Sequence, residues 1–268
     1  YLGGQFGNAS SSYALGQQAR SAVATARAQV ASMLGAHQQE VVFLSGGTES
    51  INYALKGAAM AARRTSGRTH LVTTTVEHVA VLETCKWLET QGFQVTYVPV
   101  DRFGCVRVQD VLDALTPQTF LVSVMHANNE VGSLQPVADI SRAVRRYEQQ
   151  EDAHQPILVH TDASQSVGKV RVNVNDLGVD LLTLAGHKLY APKGIGALYV
   201  RQGTTLDTLI HGASQENGQR AGTENVALDV ALGQACALVE KHLHEYAVIM
   251  QESKTFLMEQ LQKHCSLS

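Results

Sequence analysis

From Val41 to Val200 the chain alternates short apolar runs with longer segments of helical periodicity, and a parallel sheet crossed by helices is the arrangement that satisfies such a rhythm. The spacing predicts strands at Val41–Leu44, His70–Thr74, Gln94–Val98, Thr119–Met125, Ile157–His160, Leu181–Leu184 and Gly196–Val200. Helical patterns fall between them at Ser50–Arg64, Val79–Gln91, Val108–Ala114 and Pro136–Gln149. Glu224–Leu261 follows as one long helix, or two with a break. The last two strands are joined by a loop too short for a helical crossover, so they are expected to be antiparallel, one of them running against the sheet. The expected fold is α/β, a mostly parallel sheet with helices on both faces.

Length and charge narrow the rest. A chain of 268 residues can bury one large domain and part of a second. A net charge of −3 gives no electrostatic reason to expect nucleic acid or an anionic membrane as partner, and Arg63-Arg64 and Arg145-Arg146 read as solvated helix faces. No run approaches the roughly 18 apolar residues of a membrane span. The four cysteines, at 85, 105, 236 and 265, form no CxxC pair. That argues against a disulfide framework or a metal site and for a reducing compartment, the cytoplasm or an organelle matrix. Residues 149–155 read as a polar link. The chain opens at Tyr1 without a methionine and reads as cut from something longer.

Four groups stand at or just past the C-terminal ends of different predicted strands, where open α/β sheets bind ligands. Ser45-Gly46-Gly47-Thr48-Glu49 opens a helix with small residues, free amides and a hydroxyl, which suits an anion; Ser45 or Thr48 as a simple helix cap is the other reading. Asp162, with Gln165 three residues on, places an acid where it could keep a pyridine nitrogen protonated, or merely cap a helix. Lys188, between Gly186 and the Pro192-Lys193-Gly194 segment, sits in a constrained apolar loop that could aim an amine at an aldehyde. His78, after Glu77, could stack on an aromatic ligand or move a proton, or be an ordinary half-buried histidine. Together the four are far less expected by chance than any one.

At this point the residues resemble a family. Phe6-Gly7-Asn8-Ala9-Ser10-Ser11, Ser45–Ser50, Glu77-His78, His126–Gly132, His160–Ser166 and Gly186–Tyr190 are similar, in order and separation, to motifs of the cysteine desulfurase and selenocysteine lyase family. That family is the class V branch of the fold-type-I pyridoxal-phosphate enzymes. The resemblance implies the large domain of that fold over residues 1–225, which binds pyridoxal 5'-phosphate. Residues 226–268 would then lead toward a small C-terminal domain that lies outside this chain. Lys188 would bind the cofactor as a Schiff base and move the substrate α-proton, and His78 would stack on the ring and assist. Asp162 would pair with the pyridine nitrogen, Gln165 would bond the phenolic oxygen, and Asn129 would lie near that oxygen. Gly47, Thr48 and His187 would hold the phosphate. Arg220-Ala221-Gly222-Thr223 resembles a segment whose threonine reaches the phosphate of a neighbouring subunit, which implies a homodimer.

The implied reaction removes sulfur from L-cysteine, or selenium from L-selenocysteine, and leaves alanine. In the desulfurase form a cysteine nucleophile takes the sulfur as persulfide for an acceptor or scaffold protein, as in iron–sulfur cluster biogenesis. None of the four cysteines matches that nucleophile, and the arginine for the substrate carboxylate is expected in the same absent region. Ala185, Ala191 and Gln215 depart from a serine, a glycine and a histidine common in the family. The alternatives are selenocysteine lyase, another class V reaction such as transamination, and a cofactor-binding fragment without turnover.

Overall fold

The computed structural model describes residues 3–4, 6–150 and 155–264. Part of the link expected at 149–155 and Cys265 therefore lie outside the described residues. The seven strands form a single sheet in the order β1–β7–β6–β5–β4–β2–β3. They are β1 (Val41–Leu44), β2 (His70–Thr74), β3 (Gln94–Val98), β4 (Thr119–Ser123), β5 (Leu158–Asp162), β6 (Leu181–Ala185) and β7 (Gly196–Val200). β2 through β6 pair in parallel, and β7 runs antiparallel to both its neighbours, β6 and β1. The expected reversal of one strand is thus present, and it is β7 that turns.

Side chains along the strands alternate between two cores. Val41, Phe43, Val72, Val122 and Leu182 pack with α1 (Ala14–Leu34), α5 (Val137–Gln150) and α7 (Val226–His264). Val42, Leu44, Leu71, Leu121 and Leu181 pack with α2 (Gly47–Ser66) and α3 (Val79–Thr90). Strands covered on both faces are mostly apolar, which is why they appear in the sequence as near-continuous runs rather than alternations. α4 (Val108–Asp113) and α6 (Val174–Leu177) are short and join the first core through Val111, Val174 and Leu177.

Three strands differ from the expectation at their ends, and β6 does so only by running one residue further, to Ala185. β4 stops at Ser123, yet Val124 N and His126 N still donate to His160 O and Asp162 O, so pairing persists past the regular ladder. β5 runs on to Asp162, which makes that acid the last residue of the strand. The polar His160-Thr161-Asp162 end is held by neighbours on both sides, a tertiary effect that hydropathy alone does not carry.

α1 has no counterpart among the expected helices. Its buried face includes Gly16, Ala19, Ala26 and Ala31, and such small residues give weak amphipathic contrast. They are needed because α1 crosses α7 closely: a Cβ at Gly233 would come within 2.5 Å of Ala26 Cα. α7 is a single unbroken helix of 39 residues. Its buried positions end at Val239, and beyond it Ile249, Phe256 and Leu257 are exposed.

Arg145 does not lie on a solvated face. It donates to Ile157 O at 2.8 Å and pairs with Asp180 and Glu148, fastening α5 to the start of β5. Arg63 stacks 3.9 Å over the Phe93 ring. Among the described residues no helix is long and apolar enough to cross a membrane, and no cluster of three His, Cys, Asp or Glu side chains is placed to hold a metal ion.

Candidate active site

The C-terminal ends of the parallel strands, together with the turn after β1, surround a cavity of about 300 Å³. It is lined by Gly47, Thr48, His78, Asn129, Asp162, Gln165, His187 and Lys188, with Ser164 among the remaining walls. All of the residues expected at one site converge here except Thr223. A larger cleft, about 810 Å³, lies at the opposite end of the strands. Its Arg68, Arg145 and Arg201 are already engaged by main-chain carbonyls and acids, so it offers no convergent reactive group.

The turn after β1 is built to leave amides open. Gly46 precedes α2 and gives no side-chain cap, so neither Ser45 nor Thr48 plays that part. The carboxylate of Glu49 instead accepts from Ser45 N at 2.6 Å. The first amides of α2 remain without helical partners, beside the positive end of the helix dipole. A Cβ on Gly47 would lie 3.1 Å from Ala185 Cβ and 3.4 Å from Ser164 Oγ. Only a residue without one leaves this cradle open.

Asp162 is buried, and its Oδ1 accepts from Ser164 N at 2.9 Å in a turn that leads into no helix. Burial raises its carboxyl above the ordinary range, opposed by the Ser164 bond and by the charges of His78 and Lys188. A cationic partner within the cavity would favour the anion. His78 caps α3: its Nδ1 accepts from Ala80 N at 3.1 Å, so in the neutral ring the proton sits on Nε2.

Asn128 ties its own loop, accepting from Glu130 N and Val131 N and donating to Val76 O, while Asn129 lines the cavity. Gln165 Oε1 accepts from Lys169 Nζ at 3.4 Å, which leaves its amide NH2 as a donor. Burial lowers Lys169, with a further contribution from Lys188.

Lys188 and His187 lie in the 3-10 turn Gly186–Leu189 directly after β6. Gly186 N donates to Ile195 O and Ala191 N to Gly186 O, so the loop is closed at its base. Tyr190 takes a left-handed φ of 66° to turn the chain. Desolvation lowers His187, helped by the positive charges of Lys188 and Lys193.

Two acids lay within the sequence motifs without an expected role. Glu77, beside His78, is buried; its Oε1 accepts from Met125 N and Thr74 Oγ1, each at 2.8 Å, and its Oε2 has no hydrogen-bond partner among the described residues. Burial pushes its carboxyl up to about 8. Glu49 also accepts from Arg220 Nε at 2.8 Å, linking the cradle to the Arg220–Thr223 loop. Burial works against its ionised form, but Arg220 and Ser45 more than offset this and hold the carboxyl below its ordinary range. Glu49 belonged to the Ser45–Ser50 motif, but its bond to Arg220 had no local sign.

Thr223 stands in a second cleft of about 210 Å³, with Arg220, Glu216 and Asp229. Glu216 and Asn217 both have left-handed φ, 49° and 55°. Arg27 grips the Glu216 carboxylate through two bonds of 2.6 Å, and Phe43 N donates to it at 2.8 Å. None of the described cysteines lines the main cavity. Cys85 and Cys236 are buried, and burial pushes each thiol up to about 12.

The aminotransferase class-V family model matches residues 1–267. The cysteine desulfurase IscS of Dictyoglomus turgidum is 45% identical over 266 residues, covering 99% of this chain and 65% of that protein. Human cysteine desulfurase is 43% identical over 246 residues, 91% of this chain and 52% of its own length. The chain therefore spans at most about two thirds of these relatives. A solved NifS-like protein superposes with a TM-score of 0.92 at 38% identity, over 98% of this chain and 70% of that one. A structure described as SspA in complex with cysteine gives 0.80 at 42% identity, over 87% and 65%.

Proposed function

The chain belongs to the class-V aminotransferase family, and from that premise we propose that it is the pyridoxal-phosphate-binding large domain of a homodimeric cysteine desulfurase. The observation that carries this reading is the convergence of one amine, one buried acid, a helix-capping histidine and an open amide cradle on a single cavity. The cavity, about 300 Å³, is at the lower end of the size range for small-ligand sites. The group fits on the chain's own chemistry: Asp162 is a buried acid in want of a cation, and Gly47 keeps space that a side chain would fill.

Bound pyridoxal phosphate supplies an electron-withdrawing ring that makes the α-proton of an attached amino acid acidic and lets a substituent leave from Cβ. The amides of Gly47 and Thr48, the Thr48 hydroxyl and His187 hold the phosphate. Asp162 keeps a proton on the ring nitrogen, and desolvation strengthens that pairing. Lys188 Nζ would anchor the cofactor and, as the free amine once the substrate's own amine has replaced it, would move the substrate α-proton. Gln165 donates its NH2 to the phenolic oxygen, a direction set by Lys169 on its Oε1. His78, fixed by Ala80 N, offers its ring to the cofactor's face, and Asn129 closes the side near the substrate carboxylate. Thr223, outside its own cavity, is available to the partner's phosphate.

L-Cysteine is the proposed substrate, supported by the names of the relatives and by the cysteine-bound structure. The full-length protein that carries this domain should release alanine from L-cysteine. Inertness toward L-cysteine, with cofactor bound, would sink the assignment, and turnover of L-selenocysteine alone would make it a lyase. In Lys188→Ala the lysine-dependent near-visible absorption should vanish, and its survival would show the anchor to lie elsewhere.

A further inference from the structure

Beneath the cavity four wholly buried polar side chains form one continuous chain: Ser123, His160, Thr183 and Ser50. His160 Nδ1 lies 2.8 Å from Ser123 Oγ, and its Nε2 lies 3.0 Å from Thr183 Oγ1. Thr183 Oγ1 is 2.9 Å from Ser50 Oγ. Ser50 Oγ is in turn 3.1 Å from the carbonyl oxygen of Ala197.

That last contact fixes the direction of all the others. A carbonyl can only accept, so the single hydroxyl proton of Ser50 goes to Ala197 O. Ser50 must then accept from Thr183, and Thr183, its proton committed, must accept from His160 Nε2–H. A neutral imidazole with its proton on Nε2 has an acceptor at Nδ1, which receives the Ser123 hydroxyl. One orientation satisfies every link. The opposite tautomer would set the Nε2 lone pair against a threonine oxygen that has no proton left to give. Burial lowers His160 to about 3, so the ring stays neutral at ordinary pH.

The members of the chain sit beside the groups that define the cavity. Ser50 is in the first turn of α2, two residues after Thr48. His160 precedes Asp162 by two residues and shares its face of β5. Thr183 is the register partner of Asp162 and lies on β6, the strand that delivers Lys188. We propose that His160 is a positioning residue: as the Nε2–H tautomer it completes a one-way relay that locks the cradle turn, Asp162 and the Lys188-bearing strand in the relative placement the cofactor requires. This rests on the reading of the cavity as a pyridoxal-phosphate site.

Two measurements test it. In the full-length protein without added cofactor, ¹⁵N NMR should show the His160 proton on Nε2, unchanged from pH 5 to 8. In cofactor titrations Thr183→Val, which keeps the shape and removes the hydroxyl, should weaken pyridoxal phosphate binding at least ten-fold. It should also move the pH at which the bound cofactor's absorption changes. Thr183→Ser should stay within two-fold of the parent and restore that pH. If Thr183→Val does not fold, Ser123→Ala serves, with a mixed tautomer population and binding weakened about three-fold. A proton on Nδ1, parent-like binding by a folded Thr183→Val, or failure of Thr183→Ser to rescue would each overturn the relay. An unmodified full-length protein that binds no pyridoxal phosphate would sink the site reading and the positioning role with it. The tautomer result would stand apart from that outcome.

Discussion

Arg27→Met should cost far more than an ordinary ion pair. The Arg27 and Glu216 side chains are 15% and 4% exposed, and removing the guanidinium strands a carboxylate in the interior. Three bonds of 2.6 Å go with it, two to Glu216 and one to Val41 O, while Phe43 N remains as the described partner of the acid. Breaking a buried pair from one side costs about 3–5 kcal/mol. Glu216 and Asn217 add strain, since each left-handed non-glycine residue costs on the order of 1–3 kcal/mol and persists only while its surroundings hold it. At about 2–4 °C per kcal/mol for a domain of this size, the variant should melt roughly 10 °C lower. Urea unfolding should show a reduced midpoint with an unchanged slope. Adding Glu216→Gln should recover at least half of the loss, because a neutral amide carbonyl can still accept from Phe43 N. A deficit below about 1 kcal/mol, typical of a solvated surface pair, would refute the reasoning, as would a double variant no better than the single.

Three further outcomes are expected. Glu77 is raised in the folded state to about 8, so the stability it contributes is complete below the ordinary carboxylate range and fades as pH rises through 8. Urea melts from pH 5 to 9 should therefore show Glu77→Gln gaining on the parent as pH rises, and a flat difference would count against a protonated Glu77. Gly196→Ala should lower both melting temperature and cofactor uptake, since its Cβ would lie 2.6 Å from Leu184 O and 2.8 Å from Gly46 C; spectral titration with pyridoxal phosphate checks it, and normal uptake would contradict the close packing. Leu232→Ala, at a fully buried position of α7, should lose about 2–5 kcal/mol by thermal melting; a loss under 1 kcal/mol would mean that α7 is not part of the core.

Much of this was legible in the chain itself. Four of the seven strands have the bounds that the sequence suggests; β1 and β7 are buried along their whole length and read as continuous apolar runs. The cavity residues could be found because each lies at or after the C-terminal end of a strand and sits in a recognisable motif. Contacts between distant segments could not. Arg220 meets Glu49 across 171 positions and Ser50 meets Thr183 across 133, and neither pair leaves a local signature. α1 escaped for a different reason: a helix that must approach α7 closely needs glycine and alanine, and these blur the periodicity that marks a helix.

The dispersal of the cavity residues has a thermodynamic corollary. Its walls run from Gly47 to Lys188, and no short stretch of chain holds more than a few of them. If the cavity holds pyridoxal phosphate as proposed, an unfolded polypeptide would present no assembled site for it, and specific binding would be linked to the native state. A ligand held at a hundred times its dissociation constant then adds about 2.7 kcal/mol to stability, a large share of what a domain normally possesses. Supply of the cofactor would thus govern not only whether the site can react but what fraction of the chains stays folded.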